Sequence, residues 1–388
     1  MTPPIVAGVG MTKFGESPER TSRDLFAEAG ETALDDAGVP REDVETLYVG
    51  NFMGDLSENQ GHMGPLMAKS LGISAPTTRI ESACASGGMA VRQAVMAVRT
   101  GEADVALVGG VERMHNMGTA GATAGLSVAA DDLWEIRHGV TFPGAYALMA
   151  QRYFEVHGGD REDLAHVAVK NHANAANNPL AQYQTEISIE KVLDAYPVAP
   201  PVGLFDASPI TDGAAAAVLV SEEYADEHGV DSGVTITGTG QGTDDLALQH
   251  RDSLVWTPAT KDAAEEVYDD AGIDAGDVDF LEVHDCFTIA EVLALEGLGL
   301  YDEGEAITAA REGETTADGD LPVNLSGGLK AKGHPVGATG LAQISEVTKL
   351  LRGDHINSDV VADADTALTH NAGGTVATAV THVLEVDR

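Results

Sequence analysis

The chain has 388 residues, 43% of them hydrophobic, and a formal net charge of −40 from 62 acidic against 22 basic side chains. That length and apolar content suit two or three domains or one large duplicated fold, and they exclude a disordered chain. The charge excludes nucleic acid and anionic membranes as partners, and the two cysteines, Cys84 and Cys286, are too few for a disulfide framework or a cysteine-rich metal site.

In chain order, Pro4–Val9 reads as a strand. Ser22 is the expected cap of a helix over Asp24–Ala37, with Leu25, Ala29, Ala33 and Ala37 on one stripe and Gly38 as the stop. A strand is expected at Val44–Val49. Thr77, Thr78 and Ile80 then lead into Cys84, followed by Gly87, Gly88 and an apolar helix over Met89–Val98. Asp104–Val108 is a strand ending in Gly109 and Gly110. This alternation predicts a parallel sheet covered by helices. From about 114 to 207 the pattern loosens around two predicted helices, Gly144–Val156 and Arg161–Ala176, and reads as an insertion over the sheet. Strands resume at Gly213–Ser221 and Val234–Gly238, and Asp279–Val283 runs into His284, Asp285 and Cys286 before a helix over Ile289–Leu298. The second part echoes the element order of the first, without a residue-level repeat.

The acidic residues are dispersed over the length (42–45, 131–132, 222–227, 269–279 and 303–320) instead of forming one tail. Such a surface suits concentrated salt, where the Debye length falls to ~3 Å and self-repulsion is screened, so a halophilic source is expected. The sequence lacks an apolar run of ~18 residues, and residues 1–17 lack a basic start and a continuous apolar stretch. A cytoplasmic location is expected.

The chemistry converges on Cys84. A thiol at the first turn of a buried helix has its thiolate favoured by unpaired N–H groups, and the following glycines would open the backbone to substrate. His284-Asp285-Cys286-Phe287 stands at a strand end, where α/β sheets place reacting groups. Asn324–Gly340 (NLSGGLKAKGHPVGATG) holds His334 on a tight glycine-flanked loop before a helix over Leu341–Leu351, which makes it a candidate base. His370-Asn371-Ala372-Gly373-Gly374 is expected to interrupt two apolar strands and to offer glycine N–H groups to an oxyanion.

SACASGG at Cys84, HDCF at 284–287, GHPVGATG at 333–340 and NAGG at 371–374 occur in the order found in thiolases, and the match spans nearly the whole chain. The chain most resembles the sterol-carrier-type and archaeal branch, because HDCF stands where commoner thiolases have Asn-Glu-Ala-Phe. The resemblance implies a five-layered αβαβα fold of two similar halves: residues 1–115 completed by about 207–230, a loop domain at 116–206 over the coenzyme A site, and a second half at 231–388. It implies acyl transfer between coenzyme A esters, with Cys84 as nucleophile and His334 as base. The Cys84 and Gly373 N–H groups would form one oxyanion hole, and His334 with His284 the other. Ser208 resembles a pantetheine-contacting serine. Coenzyme A esters are substrates, with no permanently bound cofactor and no metal. A homodimer or dimer of dimers is implied, and relatives of the archaeal branch often have a small partner bearing an OB-fold, sometimes with a zinc ribbon.

One departure stands out. Commoner thiolases begin the C-terminal motif with a proton-shuttling cysteine, and here that place is Asn371, whose amide is no base. The shuttle is then Cys286 or His284, or condensation has been lost. Two alternatives to a thiolase remain: a decarboxylating ketosynthase-like enzyme, separable by malonyl-CoA turnover, and a non-catalytic acyl-CoA- or lipid-binding subunit, separable by the absence of an acyl adduct on Cys84. Short acyl chains are the expected substrates.

Overall fold

The computed structural model describes residues 2–230 and 233–386, so the domain boundary expected at residue 231 lies outside the described residues. Among those residues the strands are β1 (Ile5–Met11), β2 (Thr46–Gly50), β3 (Thr77–Ile80), β4 (Val105–Glu112), β5 (Pro197–Ala199), β6 (Val202–Gly203), β7 (Gly213–Val220), β8 (Val234–Thr243), β9 (Phe280–Glu282), β10 (Thr366–Gly373) and β11 (Thr378–Val386). β5 and β6 form a ladder of their own, and the other nine run in the order β3-β2-β4-β7-β1-β8-β11-β10-β9. Among the described residues one ladder pair, Ile5 with Thr235, joins β1 to β8, beside a bond from Ile236 N–H to Pro4 O, so the order is two half-sheets meeting at a seam.

The halves repeat one pattern. β2 is parallel to β3 and β4, while β7 is antiparallel to β4 and β1. β9 is likewise parallel to β10, while β11 is antiparallel to β10 and β8. The wholly parallel sheet expected from the sequence is therefore corrected to a mixed one. The turn between β10 and β11 is too short for the crossover that a parallel return requires, so β11 comes back antiparallel.

Side-chain alternation along these strands builds the layers. Val6 and Val9 of β1 and Ala106 and Val108 of β4 face Val91 and Val95 of the helix Ser86–Arg99 and Ile344 and Val347 of the helix Thr339–Arg352, in one core shared with Ile236 and Leu384 of the second half. Leu107 and Val218 face the other way, onto Leu25, Phe26 and Ala29 of the helix Ser22–Ala37. Each of these buried Val, Leu, Ile and Phe side chains contributes about 1.5–3 kcal/mol. Beyond the second half-sheet, Ala259 and Ala263 of the helix Pro258–Ala271 pack on Ala372 and Ala379. The order is helix, sheet, paired central helices, sheet, helix, which is the five-layered αβαβα arrangement.

Three local expectations change. Thr21 replaces Ser22 as the cap: its hydroxyl accepts from Asp24 N–H while the Asp24 carboxylate accepts from Thr21 N–H. The segment His370–Gly373 does not interrupt a strand, because β10 runs through it. The glycines after Cys84 also have another reason. A Cβ on Gly87 would lie 2.8 Å from Gly337 O, and one on Gly340 would collide with Gly88 N. These residues are small so that the N-termini of the two central helices can touch, and that contact brings Cys84 and His334 together.

Candidate active site

Cys84 precedes its helix instead of lying in the first turn. The helix starts at Ser86, and Ala83 just before the cysteine takes a left-handed φ of 49°, a strained setting for a residue with a Cβ. Ser86 Oγ donates to Ala83 O at 2.6 Å and accepts from Ser82 N–H at 2.9 Å, which holds the turn. Cys84 is buried among Met53, Met114, Val336 and Ile210. Burial pushes its thiol up to about 12, against the pull of the Gly374 N–H, and the Glu112 carboxylate pushes the same way. The expectation of a helix-stabilised thiolate is thus corrected, because desolvation outweighs the helix terminus.

The missing basicity lies across the helix contact. Cys84 Sγ and a ring nitrogen of each of His334 and His284 lie within 4.8 Å of one another, and the imidazole rings meet edge to face with centroids 5.0 Å apart. Burial pushes His334 down to about 3, so the imidazole is neutral. Its Nδ1 lies 2.7 Å from Thr339 Oγ1, whose hydroxyl donates to Pro335 O at 3.2 Å. The hydroxyl proton is committed there, so Nδ1 carries the hydrogen and Nε2 keeps its lone pair, as a base for Cys84 requires.

His284 has the opposite tautomer. Asn371 Oδ1 accepts from Gly88 N–H at 3.1 Å, which fixes the amide with Nδ2 towards Cys84 O at 3.1 Å and His284 Nδ1 at 3.0 Å. An amide nitrogen only donates, so His284 Nδ1 accepts and the hydrogen sits on Nε2. Among the described residues that Nε2 is buried without a partner, and burial above all, with repulsion from His334 or His370 whenever either is protonated, holds the ring well below the usual range. His284 presents a standing N–H donor. The triangle has the spacing of metal ligands, yet a protonated Nε2 has no lone pair for an ion.

Cys286 is buried in the same hydrophobic cluster as Tyr146 and Phe287. Burial pushes its thiol up, while the neighbouring Tyr146 hydroxyl pulls it down. The Tyr146 ring stacks on Phe287 with centroids 4.6 Å apart, and its hydroxyl donates to Gly374 O at 3.1 Å. Gly373 ends β10, where a Cβ would lie 2.5 Å from Ser82 O, so the glycine loop closes directly on the Cys84 turn. Ser208 N–H donates to Cys286 O at 2.9 Å, and Ser208 lines a cavity of about 420 Å³ on the outer side of that segment.

A buried scaffold holds these groups. Asp285 accepts from Asn171 Nδ2 at 2.7 Å, Leu329 N at 2.6 Å and Lys330 N at 3.2 Å, tying HDCF to the His334 loop and to the helix Arg161–Ala175. Lys170 of the same helix pairs with Glu291 at 2.5 Å. Glu112 accepts from Phe52 N at 2.5 Å and Met53 N at 3.1 Å, and burial pushes it up to about 7. Thr339 and Tyr146 were missed by sequence reasoning. Thr339 lies inside the GATG motif, five residues from His334, and was legible as a helix-start hydroxyl, whereas Tyr146 carries no motif.

The family description "Thiolase, N-terminal domain" matches residues 5–198, and "Thiolase C-terminal domain-like" matches residues 240–386. The chain is 44% identical over 379 residues to an acetyl-CoA acetyltransferase of Methanothermobacter thermautotrophicus, covering 97% of this chain and 98% of that protein. It is 41% identical over 389 residues to an acetyl-CoA acetyltransferase of Methanocaldococcus jannaschii, covering 99% of each. A solved structure of an Ltp2-ChsH2(DUF35) aldolase superposes with a TM-score of 0.84 at 27% identity, covering 100% of this chain and 98% of that one.

Proposed function

The chain belongs to the thiolase family, and on that premise we propose that it is an acetyl-CoA C-acyltransferase working through an acyl-enzyme on Cys84. It condenses two acetyl-CoA to acetoacetyl-CoA and coenzyme A, or runs the reverse thiolysis. The observation that carries this reading is the triangle of Cys84, His334 and His284 within 4.8 Å, with one imidazole set as acceptor and the other as donor.

His334 Nε2 takes the Cys84 proton as sulfur attacks the thioester carbonyl, and the oxyanion that forms turns to the Cys84 and Gly373 N–H groups. Collapse expels the coenzyme thiolate, which takes its proton from Cys286 and leaves the acyl group on Cys84. The Cys286 thiolate then removes a methyl proton from the second acetyl-CoA, whose enolate oxygen is met by His284 Nε2–H and the protonated His334. The carbanion attacks the acyl group, Cys84 departs as thiolate, and it recovers its proton from His334, so the cycle closes without a net proton change. Loss of one such donor costs ~3 kcal/mol of barrier. The thiol of Cys286 beside Cys84 favours this reaction over a decarboxylating ketosynthase, where loss of CO₂ makes the carbanion without a base.

Coenzyme A esters are substrates in this reading, and Ser208 is a pantetheine contact. Residues 116–206 are the loop domain over that site. Short acyl groups fit the relatives' activity. A homodimer or dimer of dimers, a cytoplasmic setting and a salt-rich host belong to the same proposal, the last supported by the dispersed charge of −40. A small OB-fold partner finds support in the structural neighbour, whose name pairs two components. The test is thiolysis of acetoacetyl-CoA by the purified chain in molar salt, followed as loss of ketoester. Turnover that vanishes in Cys84→Ala is expected, and turnover unchanged in that variant contradicts the reading.

A further inference from the structure

The cavity beside Ser208 holds a buried positive charge that no carboxylate contacts directly among the described residues. It is lined by His172, Lys191, Phe205, Ser208 and Lys330 among others. Lys330 is 2% exposed, and among the described residues its ammonium makes no hydrogen bond and no ion pair. Its Nζ lies 5.7 Å from the centre of the Phe205 ring, and the Nζ of exposed Lys191 lies 5.4 Å from the same ring. A desolvated ammonium is costly unless an anion or a set of acceptors meets it.

The nearby carboxylates are committed elsewhere. Asp206 accepts from Gly203 N and Thr288 Oγ1, and Asp285 accepts from Asn171, Leu329 N and Lys330 N. Burial pulls Lys330 down to about 8 while the Asp285 and Asp206 charges hold it up, so it stays largely cationic at neutral pH. In the insertion the other cations are neutralised: Arg137 by Asp132, Arg152 by Glu155, Arg161 by Asp206 and Lys170 by Glu291. His172 completes the wall. Its Nδ1–H donates to Thr185 O at 3.0 Å, and its buried Nε2 has no hydrogen-bond partner among the described residues.

We propose that this cavity is an anion subsite for the thioester substrate, in which Lys330 Nζ on the wall and Lys191 Nζ at the rim bind a phosphate oxygen of the coenzyme or a carboxylate oxygen of the acyl group. The His172 Nε2 lone pair takes an amide N–H of the same ligand, and Ile187, Leu204 and Pro209 cover its apolar stretch. The site rests on the thiolase reading, and it lies one segment away from the reacting thiols through Ser208 and Cys286.

The test compares Lys330→Met and Lys191→Gln with the parent on three substrates: acetoacetyl-CoA, acetoacetyl-pantetheine, and a 3-ketoacyl-CoA with a terminal carboxylate. A lost charge-assisted contact raises KM by about tenfold or more with kcat held. A KM rise for both coenzyme A esters that is absent with the pantetheine ester upholds the site with phosphate as its anion. A rise confined to the dicarboxylic ester upholds it with carboxylate. Unchanged KM on all three, in folded variants that still acylate Cys84, overturns it. If the parent itself turns over none of the esters, the thiolase reading fails, and calorimetric titration with inorganic pyrophosphate then decides the site. Binding weakened in Lys330→Met and in the exposed Lys191→Gln upholds it, and equal binding overturns it.

Discussion

Asn371 Nδ2 lies 3.0 Å from His284 Nδ1, and this contact sets which nitrogen of His284 carries the proton. The amide cannot turn over, because its oxygen is held by Gly88 N–H and its nitrogen also serves Cys84 O. Asn371, which stands where commoner thiolases have a shuttling cysteine, thus makes His284 a donor, and in the proposed mechanism proton transfer falls to Cys286.

Replacing that amide reverses the arrangement. In Asn371→Asp the carboxylate accepts from His284 Nδ1–H and Nε2 loses its proton. Condensation is expected to fall by roughly 10²–10³, as measured by acetoacetyl-CoA formation, while stoichiometric acylation of Cys84 persists. An unchanged condensation rate would remove the tautomer argument.

The two cysteines separate by step. Cys286→Ser is expected to keep Cys84 acylation, because a coenzyme thiolate, whose thiol has a pKa of about 8.5, leaves without needing an acid, and to lose about 10²–10⁴ of condensation, together with solvent exchange of the acetyl methyl protons. Near-normal turnover there, beside a His284→Ala variant that acylates without exchange, would move the shuttle to His284.

Tyr146→Phe removes the hydroxyl that donates to Gly374 O in the resting site and turns to the Cys286 thiolate once that forms. The Cys286 pKa then rises further, and methyl-proton exchange is expected to slow about tenfold, the size of one lost hydrogen bond to a charged group. Equal exchange rates in parent and variant would leave Tyr146 a packing residue only.

Much of this site is written in short motifs. Cys84, His334, His284 and Cys286 stand out because glycines and a strand end surround them, and the duplicated order of elements follows from hydrophobic runs. The sheet directions were hidden, since antiparallel returns such as β11 depend on turn length and on what the insertion leaves exposed. The protonation states were hidden for another reason. Motif position suggests a low thiol pKa at Cys84, but burial among Met53, Met114 and Val336 acts through residues distant in sequence and reverses it. Tyr146 reaches Gly374 across 228 positions, and no local pattern announces that contact.

The neutral His334 gives a pH signature. With its pKa depressed to about 3, the base form persists as pH falls well below the ordinary 6.5, and protonation switches it off only near the depressed value. Acylation of Cys84 in single turnover, measured within the stable range of the protein, is expected to stay flat from pH 7 to about 5. A loss of rate centred near 6.5 would show an ordinary, solvated imidazole.

The helix contact is testable through its glycines. Gly340→Ala forces a methyl group into Gly88 N and to 2.6 Å from Asn371 Oδ1, at a cost of ~1–3 kcal/mol. Both Tm and acylation rate are expected to fall. Gly276→Ala, where nothing stands within 4 Å, is the control and leaves both unchanged. Equal melting of the two variants would contradict the close approach of the central helices.

The most direct test is the acyl-enzyme itself. The protein is incubated with isotopically labelled acetyl-CoA, quenched in acid, digested, and its cysteine peptides are weighed by mass spectrometry. A labelled acetyl group on the Cys84 peptide, absent from Cys84→Ala and strongly reduced in His334→Ala, is the predicted result. A peptide that stays unmodified under conditions where coenzyme A esters bind would contradict it and leave the chain a binding subunit.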